Sequence, residues 1–400
     1  MKVLARILGI LTLILSGCGS DQGSASKPPP ETRVVGEIQG APLYRREILS
    51  QVFTMNEIYK SMQGPLETNH LQLGASGPES DPELFWLIGF EGSVREPDGE
   101  TRMSPEFLCH TNLDSNPASY QASLPTAIRA SPRLFTLSQG QLASRMPEGF
   151  GVPINSNEPL RLDTQALNHS VVGTTVNARH RLAIDFVKDS DLKTPLRPLI
   201  QQNVFGYVLM EGKDGHYGMT EAIETEHPGC LPGTHAEGAD ARGFFKDGHG
   251  RKFSSFWMVP PGRHTYRSRV LDFMMKLPYD TTIHYAVAHL HPLAESLELR
   301  DLTTGQTLIK TKVRQAGDGR FGIEDVERFS SVDGIPIFHD HEYELIAIYD
   351  NTTGENHDSM AVMYLYVLAE DFPDQSVPAH ASKLGNRSIQ IVTKTKDSRS

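Results

Sequence analysis

The stretch Thr281-Thr282-Ile283-His284-Tyr285-Ala286-Val287-Ala288-His289-Leu290-His291 alternates in character as a strand does. Successive strand side chains point to opposite faces, so His289 and His291 share one face and His284 takes the other. Outward from it, short apolar or alternating runs recur at 84–88, 182–187, 204–210, 296–302, 343–349 and 361–368. Turn signals such as Pro97-Asp98-Gly99 and Pro260-Pro261-Gly262 separate the runs, and long helical periodicity is scarce. The pattern predicts an all-β protein of sandwich type. Residues 47–62 stay open between helix and irregular structure. The segment 211–252, rich in Gly, His and Asp, reads as a strandless insertion too long for an idle connection.

The chain opens with Lys2 and Arg6, an apolar run from Ile7 to Leu15, and small Ser16 and Gly17 before Cys18, the pattern of a signal peptide over 1–17. The apolar run falls short of the ~20 residues a spanning helix needs. Leu15-Ser16-Gly17-Cys18 resembles a bacterial lipobox, which implies cleavage before Cys18 and lipidation of that cysteine. One acyl chain binds a membrane marginally, whereas two or more hold firmly. Gly19 stands where an aspartate would resemble an inner-membrane retention signal, which favours the outer membrane. A Ser-, Gly-, Lys- and Pro-rich run places a flexible tether at 18–40, and polar residues place a disordered tail at 373–400. The remainder exceeds what one core usually organises, which predicts two tandem antiparallel β-sandwich domains, jelly-roll-like, at 41–205 and 206–372. A net charge of -11 and no basic cluster argue against nucleic acid as a partner, and a monomer is expected.

Two imidazoles at i and i+2 of a strand can converge on one ion, and imidazole suits copper or zinc. The plainer alternative is a pair of surface histidines at a strand end. In His357-Asp358-Ser359-Met360-Ala361-Val362-Met363-Tyr364, Met360 opens an apolar strand. A thioether beside two imidazoles selects copper(I) over zinc, while Met360 alone is ordinary core filling. In this order, with Trp257-Met258-Val259-Pro260-Pro261-Gly262 upstream, these segments resemble the C-terminal domain of the copper type II ascorbate-dependent monooxygenases, the family of peptidylglycine alpha-hydroxylating monooxygenase and dopamine beta-monooxygenase. The resemblance implies that His289, His291 and Met360 hold the oxygen-binding copper of the catalytic site.

It also implies a second, electron-donating copper in the N-terminal domain. Phe107-Leu108-Cys109-His110-Thr111 matches the family's His-His pair with Cys109 in place of the first histidine, and Asn168-His169 matches the third ligand. His110 and His169 are then expected to share an ion facing the cleft between the domains, although each reads nearly as well as a hydrogen-bonded core histidine. Cys109 either joins them as a thiolate, softening the site towards copper(I), or pairs with Cys230 in a disulfide. Two copper ions are expected, one if this site is incomplete, together with ascorbate or a similar reductant. Val287 stands where peptide-processing members carry the arginine that grips a carboxylate, so peptides ending in glycine are not expected as substrates. Tyr364 keeps the family's substrate-region tyrosine, and a small molecule or other peptide remains as substrate. His227, Cys230 and His235 read as a loop cluster, and His339 and His341 as solvated.

The leading expectation is an exported copper monooxygenase. The alternative, from another class, is a non-catalytic copper-binding lipoprotein for storage or delivery, separated from the first by copper number. A third reading, an amide-cleaving glycosidase, requires a carboxylate pair that the sequence does not single out.

Overall fold

In a computed structural model of the chain, the structure describes residues 31–59, 63–74, 82–210, 244–246, 250–317 and 320–373. The protein is mostly β, with several antiparallel sheets and one short helix, Pro117–Ser123, among the described residues. The longest sheet runs in the order Glu31–Ile38, Ala41–Leu49, Val176–Lys188, Leu84–Arg95, Phe150–Asn155, Arg197–Phe205, Ala361–Leu368, Thr281–Leu290, Phe329–Ile337. It therefore passes without a break from strands early in the chain to strands late in it. Arg197–Phe205 and Ala361–Leu368 are antiparallel neighbours from Leu199↔Leu368 to Phe205↔Val362. The parallel step in this sheet, Arg197↔Phe150 and Pro198↔Gly151, joins that pair to the early strands.

A four-stranded sheet, Leu66–Leu71, Leu160–Ala166, Leu108–Ser115 and Arg133–Ser138, packs on one face of the long sheet. The contact is aromatic: Phe135 lies between Phe90 and Tyr366, with ring centres 6.0 and 5.8 Å away, and the Tyr366 hydroxyl donates to the Leu134 carbonyl at 2.8 Å. A five-stranded sheet, Gly262–Arg269, Tyr343–Asn351, Ala294–Asp301, Thr307–Gln315 and Ile323–Val326, joins the same apolar core. This core is shared by residues such as Phe85, Leu162, Trp257, Ile283 and Tyr349, all but sealed from solvent.

The run 361–368 forms a strand with those bounds, and 84–88, 182–187 and 343–349 lie inside longer strands. Residues 47–62 hold no helix among those described: Ala41–Leu49 and Phe53–Met55 are strands that pair with Val176–Lys188. Glu31–Ile38, placed in the tether by composition, is a strand as well. The insertion at 211–252 is not strandless. Phe244–Lys246 pairs with Lys252–Ser254, because Phe245 stacks on Phe253 at 5.5 Å and against Tyr207 and Phe273 at 5.3 Å. The rest of that insertion, with His227, Cys230 and His235, lies outside the described residues, as do Cys18 and the signal segment.

Candidate metal centre

His289 stands in Thr281–Leu290, directly across from Val362, and that register fixes which way it faces. Val287 opposes Tyr364 and Tyr285 opposes Tyr366, so this face carries Tyr366 into the core against the four-stranded sheet and carries His289 the same way. His110 comes to meet it from the facing sheet, where it pairs with Gln165 and Ser138. The His110 and His289 ring centres are 6.2 Å apart, nearly perpendicular. His291, just beyond the strand end, brings its ring centre to 5.4 Å from that of His289. All three are buried.

Partners sort the ring nitrogens. His291 Nδ1 lies 3.1 Å from Asp358 Oδ2 and 3.3 Å from the Asp358 carbonyl, which leaves Nε2 for an ion. His110 Nδ1 lies 3.3 Å from Cys109 Sγ, and its buried Nε2 has no hydrogen-bond partner. His289 Nδ1 and His169 Nε2 are buried without a partner too. An orphaned buried polar atom costs about 1–3 kcal/mol, so these nitrogens are candidate positions for a ligand. Burial pushes His110 down to about 3, helped by Arg133 and His291 and opposed by Asp163. Burial also holds His289 well below its ordinary value, with His291, His110 and Arg133 adding to it. Neutral imidazoles with unshared lone pairs are what copper or zinc requires.

His169 flanks this group. Asn168 pins its loop by donating to the carbonyls of Glu57 and Val171 at 3.1 and 2.9 Å and accepting from the amides of Ser170 and Val171. Burial lowers His169 to about 4, with Asp358 opposing and His291 and His357 adding to the shift. Its ring meets Phe321 edge-on at 5.5 Å, and Phe321 in turn stacks on His357 at 5.0 Å. Tyr59, His169, Met258, Phe321, His357 and Asp358 line a cavity of about 320 Å³ at this edge of the cluster. Met360 is buried immediately before Ala361, the residue paired with Leu290, so its backbone lies next to that of His291. The Tyr349 hydroxyl fixes it there by donating to the Met360 carbonyl at 2.6 Å.

The candidate ligands are therefore gathered around His291 rather than divided into two separate groups. His110 faces His289, with ring centres 6.2 Å apart. Among the described residues, no set of three His, Cys or carboxylate atoms that includes Cys109, His110, His169, His289 or His291 closes within 4.8 Å, and strand alternation turns Cys109 from the face that carries His110. Its sulfur lies 3.3 Å from His110 Nδ1. The disulfide alternative rests on Cys230, outside the described residues. Tyr364 is not on the cavity wall: it is buried between the sheets, where Arg133 and Thr136 approach its hydroxyl.

Among the described residues, the group of three that does close within 4.8 Å is Asp280, His339 and Asp340, all exposed, with His339 Nδ1 on Asp280 Oδ1 at 2.7 Å. His341, read as solvated from its loop position, is only partly exposed. Its Nδ1 lies 2.6 Å from Asp301 Oδ2 and its ring stacks on Phe338. Asp358, Phe321 and Arg133 are the contributors that sequence reasoning missed. Of these, only Asp358 had a signal, an acidic residue two before Met360.

No protein-family model matches the chain, and no curated protein does. Among solved structures, one of infectious bursal disease virus Gx strain aligns at 10% identity over 86% of this chain and 73% of its own, with a TM-score of 0.18. Pumpkin seed globulin aligns at 8% identity over 82% and 77%, with a TM-score of 0.13. Scores this low define neither the fold nor the function.

Proposed function

We propose that this chain is an exported, lipid-anchored copper protein that hydroxylates an organic substrate with oxygen and a reductant such as ascorbate. One observation carries the reading: the buried His110 and His291 rings flank the buried His289 ring, with centres 6.2 and 5.4 Å away, His110 and His289 each keep a partnerless nitrogen, and a carboxylate lies at the Nδ1 of His291. Copper, when bound, supplies one-electron redox chemistry at oxygen. The protein's own residues do the rest. Asp358 fixes the tautomer and direction of His291. The sheets on either side exclude water from His110 and His289, and the cavity at His169 and Phe321 gives a substrate a place to lie. Met360 stands close enough in the chain path to add a soft ligand.

The second reading, a copper carrier, is favoured by the gathering of ligands around a single locus, since a carrier needs no separate electron-donating site. Oxygen uptake by the copper-loaded full chain in detergent, with ascorbate and a panel of small organic substrates, separates the two. Copper-dependent uptake coupled to a hydroxylated product, lost in His289→Ala, supports the oxygenase. Tight copper binding with no turnover supports the carrier, and no copper binding removes both.

A further inference from the structure

We infer that the chain holds one copper ion at the seam between its two facing sheets, ligated jointly by His110, His289 and His291, rather than two ions in two separate sites. This rests on the copper-binding reading above, whichever of its two functions holds, and goes beyond it, because His110 and His289 belong to different halves of the sequence and were expected to serve different ions.

Ring spacing carries the step. A nitrogen about 2.0–2.1 Å from an ion puts its imidazole centre about 3.2 Å from that ion, so two rings on one ion have centres at most about 6.4 Å apart. The His289–His291 distance of 5.4 Å and the His110–His289 distance of 6.2 Å both lie inside this limit. The nearly perpendicular planes, 85° and 71°, let lone pairs converge without ring overlap. Nitrogen availability agrees. His110 keeps Nε2 because Cys109 sits at its Nδ1, His291 keeps Nε2 because Asp358 takes its Nδ1, and His289 has a partnerless Nδ1. The three ligand nitrogens do not all lie within 4.8 Å of one another, so the proposal requires the rings to turn towards the ion when it binds. His169 contributes no ligand to this ion in the proposal: its ring meets Phe321 and lines the cavity.

The test is copper counting on the full chain in detergent, with Cu(I) competition titration and Cu(II) EPR after labelling histidine with ¹⁵N. The expected result is one ion per chain with three nitrogens in the hyperfine pattern. His110→Ala and His289→Ala should each weaken that same ion at least tenfold and reduce the pattern to two nitrogens, while His169→Ala leaves one ion bound. Two ions in the wild type, or an unchanged signal in His110→Ala, overturns the shared site while leaving the copper reading intact. No bound copper at all overturns both. The wild-type count and nitrogen pattern decide the matter even if a variant fails to fold.

Discussion

Asp358→Ala removes the carboxylate that holds His291 Nδ1 at 3.1 Å, without touching an expected ligand. The carboxylate is 14% exposed and the His291 ring 5%, so solvent takes over little of its role. Loss of such a supporting acceptor usually lowers metal affinity by about 10–100-fold, or about 1.4–2.8 kcal/mol. Here the lower end applies. The Asp358 main-chain carbonyl, 3.3 Å from the same nitrogen, survives the substitution and can still accept from the ring. Asp358→Asn keeps the shape and one neutral acceptor, so its loss should be smaller than that of the alanine variant. Competition against a calibrated Cu(I) chelator measures both. Affinity unchanged within twofold in Asp358→Ala would show that this carboxylate does not orient a ligand, and the assignment of His291 would fall with it.

Acid should destabilise the fold through buried neutral histidines. Burial holds His180 at about 4 in the native state against an ordinary 6.5, so between these values the unfolded chain binds a proton that the native chain refuses. Its contribution is complete above 6.5 and is lost as pH falls towards 4. At pH 5 the loss is about 2 kcal/mol, which urea titrations of wild type and His180→Gln at pH 7.5 and 5 should show as a shrinking wild-type advantage. Met360→Leu nearly conserves volume, so stability should change by less than about 1.5 kcal/mol. Cu(I) affinity should fall more than Cu(II) affinity, and equal losses would remove Met360 from the ligand set. Gly140→Ala should destabilise by about 2–4 kcal/mol: Gly140 has φ +75, and a Cβ would collide with Ile323 Cγ2 and lie 3.2 Å from the Asp325 backbone. A urea midpoint within error of wild type would show that this turn gives way freely.

Strand identity was legible wherever the strand's own side chains decide it. The segment 361–368 is apolar at every position because it is buried on both faces, by the four-stranded sheet through Tyr366 and by the shared core through Met363 and Leu365. Even Val287, in the middle of the histidine-bearing strand, has a packing reason: it opposes Tyr364 in the core. Partner choice was not legible, since it depends on strands far away in sequence. Nothing local to Phe107–Leu113 says that His110 will face His289, and nothing near His341 says that Asp301 will reach it. The strand at 244–246 was hidden among glycines because its stability comes from Phe245 packing on Phe253, Tyr207 and Phe273 rather than from its own length.

The same non-local pairing bears on how metal and fold act on each other. His110 rides on Leu108–Ser115 in the four-stranded sheet and His289 on Thr281–Leu290 in the long one, with Phe135 and Tyr366 packed between those sheets. An ion held from both sides binds only when the sheets are apposed, so binding free energy becomes packing free energy: about 2.7 kcal/mol at a free concentration of one hundred times Kd. An ion held by His289 and His291 alone would stabilise the long sheet locally and leave the seam unchanged. A shared ion thus couples the early and late strands a second time, where the continuous sheet through Arg197–Phe205 and Ala361–Leu368 already joins them.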